Sequence, residues 1–384
     1  MESSESSARP SSFAEDVAFL RQYSQPLLLS AADGGCIAVS PEYQARVLTS
    51  AVGPSGQSLG WLNRAQIESG RRGTPFDNYG GEDRFWLGPE GGQFSVFFPP
   101  GAPFALSHWQ TPAGFQEGTW DILAQSECHV SFRRAFGVKN ASGTEFEVEV
   151  ERRLELLDAA GVTGALEIAP PPGVQWVAFR SDNQLRNVGR RAWTEETGLL
   201  SIWSLGMFAP ADDTWVIAPF ERKGQGPVVS SDYFGPLPSE RLAVDEARGV
   251  VTFLADGKYR SKIGLSQSRS RPVAGSYTRS EKRLTIVRYS VPGAPRPYVN
   301  SKWERQAQPF AGDLFNSYNH GTLTPGQLAD VRFYELESSS PGAALEPNQA
   351  LAHDHSTFHF VGEEPALDVI ATQVLGIPLA GIGA

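Results

Sequence analysis

From residue 144 to residue 156 the chain alternates closely enough to dictate its own geometry. Phe146, Val148, Val150, Leu154 and Leu156 fall on one side of an extended backbone; Glu145, Glu147, Glu149, Glu151 and Glu155 fall on the other. Successive side chains of a strand point to opposite faces, so the segment reads as an antiparallel strand with one buried face and one wet face. Any fold that accepts it must lay an apolar layer against one side only.

Shorter runs with strand character predict further strands at 94–98, 129–138, 174–180, 199–205, 214–219, 250–254, 262–267, 283–290, 331–338 and 357–361. Turn signals such as Asp33-Gly34-Gly35, Asn140-Ala141-Ser142-Gly143 and Asp256-Gly257 separate them. Many short strands joined by turns account for the 39 Gly and 28 Pro and for the 22 Phe, 10 Tyr and 9 Trp. Helices are expected only within 14–23 and over 365–375, where Leu367, Ile370, Val374 and Leu375 form the apolar set and Gly376 is a stop. With 384 residues, 40% of them hydrophobic, a large core is available. The expectation is an all-β chain, with a disordered tail over residues 1–12 and a single antiparallel domain over 13–384.

The charge balance is 33 Lys and Arg against 43 Asp and Glu, a net −10 with no basic run. That argues against nucleic acid and anionic membrane as partners. No apolar stretch approaches the roughly 18 residues of a membrane span, and residues 1–12 lack the apolar centre of an export signal. A soluble cytoplasmic protein is expected. Cys36 and Cys128 cannot make a disulfide framework and have no zinc-ligand spacing nearby, so both are expected as buried free thiols. No Gly-x-Ser-x-Gly elbow, phosphate loop or Gly-x-Gly-x-x-Gly turn is present, which disfavours phosphoryl and hydride chemistry.

Candidate site residues cluster in four places. In Phe333-Tyr334-Glu335-Leu336-Glu337 the two carboxylates share a strand face with Phe333, while Tyr334 and Leu336 face away. In Gly81-Glu82-Asp83-Arg84-Phe85-Trp86, Arg84 and Trp86 share a face, with Glu90 close by before Gly91-Gly92. An aromatic plane beside a guanidinium fork suits a sugar; it equally suits an ion pair of Arg84 with Glu82 or Glu90 beneath a hairpin. Asn316-Ser317-Tyr318-Asn319-His320, with Lys302-Trp303 upstream, reads as a ligand-facing loop of hydroxyl-binding groups, or as a turn that satisfies itself. His353, His355 and His359 alternate on one strand face, as a metal set or simply as a polar face, and His108 follows a predicted strand.

The motifs Phe-Tyr-Glu-Leu-Glu over 333–337, Ser340-Pro341, Leu345-Glu346-Pro347 and Thr357-Phe358-His359-Phe360 resemble the C-terminal strands of the galactose mutarotase-like (aldose 1-epimerase) superfamily. Gly81-Glu82-Asp83-Arg84, His108, Gly114-Phe115 and Trp120 resemble its early region. The chain is most similar to a bacterial branch marked by Asn-Ser-Tyr-Asn and Phe-Tyr-Glu-Leu-Glu-Ser-Ser-Ser-Pro. The resemblance covers roughly residues 25–375. It implies an all-β supersandwich, a large antiparallel β-sandwich with a few short helices and a sugar groove across one sheet. It also implies an isomerase that opens the ring at the anomeric carbon by acid–base chemistry without a cofactor. Carried over, Glu337 is the first choice for the base and Glu335 the second, and His108 or His320 is the acid. Arg84, Trp86, Glu90, Lys302 and Asn319 would hold the hydroxyls of a small-molecule sugar. The family's second histidine has no counterpart between Leu185 and Gly206, so Lys302, Arg84 or His320 would have to replace it. The alternative is a non-catalytic carbohydrate-binding protein using the same groove.

Overall fold

The computed structural model describes residues 11–72, 77–322, 329 and 331–383. Most of the expected tail, residues 1–10, lies outside the described residues. Ser12, assigned to that tail, is instead the N-cap of the helix Phe13–Leu20, with its hydroxyl accepting from the Glu15 amide.

In chain order the strands are β1 (Leu27–Ser30), β2 (Cys36–Ser40), β3 (Arg46–Ala51), β4 (Arg84–Gly88), β5 (Asp121–Gln125), β6 (His129–Lys139), β7 (Glu145–Leu156), β8 (Gln175–Asn187), β9 (Ser201–Phe208), β10 (Thr214–Pro219), β11 (Leu242–Asp245), β12 (Val250–Leu254), β13 (Ser261–Ser266), β14 (Val273–Thr278), β15 (Arg283–Tyr289), β16 (Asp313–Asn319), β17 (Tyr334–Ser339) and β18 (Ala350–Val361). A large sheet has the order β11-β12-β10-β14-β15-β18-β8-β7-β6-β5. A small sheet runs β13-β16-β17-β9-β4, and β1-β2-β3 form a third. Neighbours in the small sheet are antiparallel throughout.

The alternation in β7 is realised as read, with its apolar residues buried in the core. The one inward position without a hydrophobe is Arg152. Its guanidinium donates to Asp83 Oδ1 at 2.7 Å and to Asn183 Oδ1 at 2.9 Å. A buried charge is tolerable there because it is both paired and hydrogen-bonded.

The large and small sheets pack face to face. Tyr334 and Leu336 of β17 meet Val216, Phe253, Ala274 and Val287 of the large sheet, and Tyr334 Oη lies 2.8 Å from Ser276 Oγ. Because side chains alternate, burying Tyr334 and Leu336 between the sheets sends Glu335 and Glu337 to the opposite face of the small sheet. The histidines of β18 also point between the sheets. Ser338 Oγ sits 2.8 Å from His353 Nε2 and 2.9 Å from His355 Nδ1. His359 Nε2 lies 2.9 Å from Glu82 and its Nδ1 2.9 Å from the Thr285 hydroxyl. The contacts of His353 and His355 to Ser338 join the two sheets, and among the described residues no His, Cys, Asp and Glu group is arranged to hold a metal.

Several expectations are corrected. Residues 94–98 form turns, with Val96, Phe97 and Phe98 buried as anchors of a loop. The supposed ligand loop beginning at Asn316 is, up to Asn319, part of the strand β16, disguised by polar residues that the sheet satisfies: Asn316 donates to the Ile263 carbonyl and Ser317 to the Glu335 carbonyl. Cys36 is buried, but Cys128 is exposed. An unanticipated helix, Ala159–Leu166, is capped by Asp158. The C-terminal helix Glu364–Ile370 is in place and its π-helical continuation ends at Gly376, at φ 74°.

Candidate functional site

Antiparallel register arranges the outer face of the small sheet into rows. Lys262, Tyr318, Glu335 and Met207 stand opposite one another in one row. Asn316, Glu337, Leu205 and Arg84 form the next. Ser339, Trp203 and Trp86 form the third. Strands lie roughly 4.8 Å apart, so Lys262 and Glu335, two strands from each other, are separated by about 10 Å of backbone.

Loops wall this face. Leu106 and Trp109 come from the segment after β4, Phe234 from between β10 and β11, and Trp303 from between β15 and β16. The Trp303 segment approaches closely because Gly91 has no side chain: a Cβ there would fall 2.3 Å from the Lys302 carbonyl oxygen. With His320 and Phe333 these residues enclose a cavity of about 250 Å³, small for a ligand site and suited to one ring. Trp86, Trp109, Trp203 and Trp303 all line it, and the rings of Trp86 and Trp203 meet nearly edge to face at 5.8 Å.

The charges within are arranged in pairs. Arg84 Nη2 donates to Glu335 Oε1 at 2.8 Å, and Arg84 Cζ lies 4.0 Å above the Trp86 ring. Burial pushes the Glu335 carboxyl up to about 7; Arg84 works against that rise and Glu337 adds to it. Glu337 is fully buried behind it, its Oε2 accepting from both Lys262 Nζ and Trp203 Nε1 at 2.9 Å. Its Oε1 has no hydrogen-bond partner among the described residues. Burial alone would lower Lys262, but the carboxylates of Glu337 and Glu90 outweigh it and hold the ammonium above its ordinary value. Glu90 is raised, chiefly by burial. His320 is lowered to about 4 by burial and then by Arg260, and is therefore neutral near pH 7. Its ring stacks on Phe333 at 4.5 Å, and its Nδ1 is 3.0 Å from Tyr318 Oη.

The structure thus gathers Glu335, Arg84, Trp86, Glu90 and His320 around one cavity. It leaves others out. His108 is exposed on the short turn Leu106–His108, whose neighbours Leu106 and Trp109 face the cavity instead. Lys302 turns away to Asp232 at 2.6 Å, and only its neighbour Trp303 lines the wall. Asn319 is buried: it accepts from Gly257 N at 2.7 Å and donates to the Tyr259 carbonyl at 2.8 Å, so it holds a turn. Glu337, first choice for the base, shares the expected face but lies beneath the lining. Reading the sequence missed Arg260, Lys262 and Phe234. For Lys262 a signal existed, since it opens the predicted strand 262–267; Arg260 lies two residues before it, just outside that strand.

A more open groove of about 420 Å³ lies on the outer face of the large sheet, among Glu151, Arg153, Arg180 and Asp182. Its two exposed arginines already pair with neighbours, Arg180 with Asp182 at 2.5 Å and Arg153 with Glu155 at 3.1 Å. It lacks the converging donors and aromatic faces of the smaller cavity.

A family model described as a family of unknown function (DUF6786) matches residues 11–384. Among solved structures, a candidate aldose 1-epimerase from Escherichia coli K12 is similar over 87% of this chain and 98% of its own, with a TM-score of 0.53 and 12% identity. The Slr1438 protein from Synechocystis sp. PCC 6803 is similar over 88% of this chain and 96% of its own, with a TM-score of 0.51 and 12% identity. No curated protein matches the sequence. At such identities the likeness establishes the fold, a galactose mutarotase-like β-sandwich.

Proposed function

This chain belongs to DUF6786, a family of unknown function, and from its aromatic cavity we propose that it binds the ring of a saccharide and interconverts its anomers by acid–base chemistry at Glu335. The observation that carries this reading is the Glu335 carboxyl itself: it lines a tryptophan-walled cavity, is held by Arg84, and titrates near neutrality. A base works best with a pKa close to the operating pH. Indole faces are electron-rich and receive the C–H faces of a sugar ring, while Arg84, Glu90 and Tyr318 meet its hydroxyls.

In this reading Glu335 takes the proton from the anomeric hydroxyl. The bond from the anomeric carbon to the ring oxygen breaks, its electron pair stays on that oxygen, and Lys262 supplies the oxygen with a proton. The product is an open-chain aldehyde. Rotation about the bond to the neighbouring carbon and reversal of both proton transfers closes the other anomer. Glu337 stabilises the Lys262 ammonium and fixes Trp203 from below. Residues 13–384 serve the cavity as one domain.

A second reading, binding without catalysis, draws support from His320: this imidazole, the one lining the cavity among the described residues, is neutral at pH 7 and makes a poor acid. Polarimetry on freshly dissolved α-glucose and α-galactose separates the two. Faster loss of optical rotation with catalytic amounts of protein is expected. Calorimetric binding without acceleration leaves only the binding role, and absence of both across a broad sugar panel removes saccharide chemistry altogether.

A further inference from the structure

One cation in the cavity has no part in the proton transfers described above. Arg260 lies just before β13, two residues ahead of Lys262, and both line the cavity. Its Cζ sits 4.3 Å over the Phe234 ring, and its Nε is buried without a hydrogen-bond partner among the described residues. Arg84 and Lys262 each hold a carboxylate, Glu335 and Glu337. Arg260 forms no ion pair among the described residues. Glu90 is close enough to feel it, but binds Trp303. The guanidinium also hydrogen-bonds Tyr318, but its buried Nε has no acceptor, which is costly, and an oxyanion of the ligand would complete it.

Position sharpens the point. With Glu335 at the anomeric hydroxyl and Lys262 at the ring oxygen, the next group around the ring is the substituent on the carbon beyond that oxygen. The next cation along the chain from Lys262 is Arg260. A planar guanidinium matches a carboxylate or phosphate with two parallel hydrogen bonds, which a neutral hydroxymethyl group cannot accept.

We propose that the saccharide taken by this cavity carries an anionic group, a carboxylate or a phosphate ester, on the carbon beyond its ring oxygen, and that Arg260 reads it. The inference rests on the saccharide reading of the same cavity and adds the substrate class to it.

The test is calorimetry with D-glucose and D-galactose beside their uronates and 6-phosphates, on the wild type, Arg260→Gln and Arg260→Lys, with thermal melts to verify folding. At least one anionic sugar should bind the wild type about tenfold or more tightly than its neutral counterpart, the scale of one charge-assisted contact. Arg260→Gln should erase that gap by weakening the anionic sugar about tenfold more than the neutral one, and Arg260→Lys should keep part of it. Preference for uronate or for phosphate identifies the source of the charge. Neutral sugars binding as tightly as both anions, or Arg260→Gln weakening all ligands equally, overturns the inference and leaves the saccharide reading intact. Failure of the wild type to bind any of these sugars overturns both.

Discussion

Arg84 donates to Glu335 at 2.8 Å across 251 residues of chain. The two lie on β4 and β17, on either side of β9, and the guanidinium covers the Trp86 ring as it crosses. The contact therefore ties an edge strand to the middle of the small sheet and orients the carboxylate proposed as the base.

Glu335→Gln should lower kcat/KM for mutarotation by about 10²-fold or more, the usual scale for a general base. The amide keeps an oxygen for Arg84, so sugar affinity should change far less than rate. Polarimetry and calorimetry on the same preparation measure both. Equal rates in mutant and wild type would remove Glu335 from the mechanism.

The pH profile has a defined direction. Glu335 must be ionised to accept a proton, so kcat/KM should rise with pH through about 7. Stability should move the other way. The unfolded carboxyl titrates near 4.5 and the folded one near 7, so between those values the folded state binds more protons. Wild type should lose stability relative to Glu335→Gln as pH rises from 4.5 to 7, and the difference should level off above that. Denaturant melts at several pH values read the difference, and a wild type that gains stability relative to Glu335→Gln as pH rises from 4.5 to 7 would contradict the assignment.

Lys262 and Glu337 test a buried pair. Their side chains are 8% and 1% exposed. Lys262→Met leaves Glu337 buried beside Trp203 alone and should cost about 3–5 kcal/mol. Adding Glu337→Gln should recover most of that loss, because the uncompensated charge is then gone. Urea unfolding of the two singles and the double completes the cycle; strict additivity would mean that the pair is not coupled.

His353 should make the fold acid-sensitive. Burial, helped by the neighbouring His355, lowers its imidazole to about 3 from an ordinary 6.5. In that window the unfolded chain takes up a proton that the folded chain refuses. Stability is thus present above 6.5 and drains away as pH falls toward 3. His353→Gln should flatten the slope of unfolding free energy against pH between 6.5 and 4.5. An unchanged slope would assign the acid sensitivity elsewhere.

His108→Ala and Lys302→Ala should leave sugar affinity and turnover within a factor of about two, since surface substitutions away from special features are usually nearly neutral. His108 is exposed, and Lys302 is engaged with Asp232. A large drop in either variant would show that the cavity extends past its described walls.

Strands whose faces differ in polarity were legible in the sequence. In β7 the glutamates and the aliphatic residues announce both the element and its inward side. In β17, Tyr334 and Leu336 against Glu335 and Glu337 did the same, and with it came the face that carries the site. Strands whose polar residues are buried were not legible. Asn316, Ser317 and Asn319 looked like loop chemistry because their partners, Ile263, Glu335, Gly257 and Tyr259, lie far away in sequence or on the backbone.

Alternation along each strand, a local property, was enough for the sequence alone to determine an all-β antiparallel chain and to put Arg84 with Trp86, and Glu335 with Glu337, on shared faces. Which of two carboxylates reaches the cavity was decided by strand register and loop packing. Both act between segments far apart in the chain: Lys262 and Trp203 hold Glu337 down in the sheet, while Arg84 holds Glu335 at the wall. Periodicity says which side of a strand a residue faces, but only the assembled sheet and its covering loops say how deep on that side it lies.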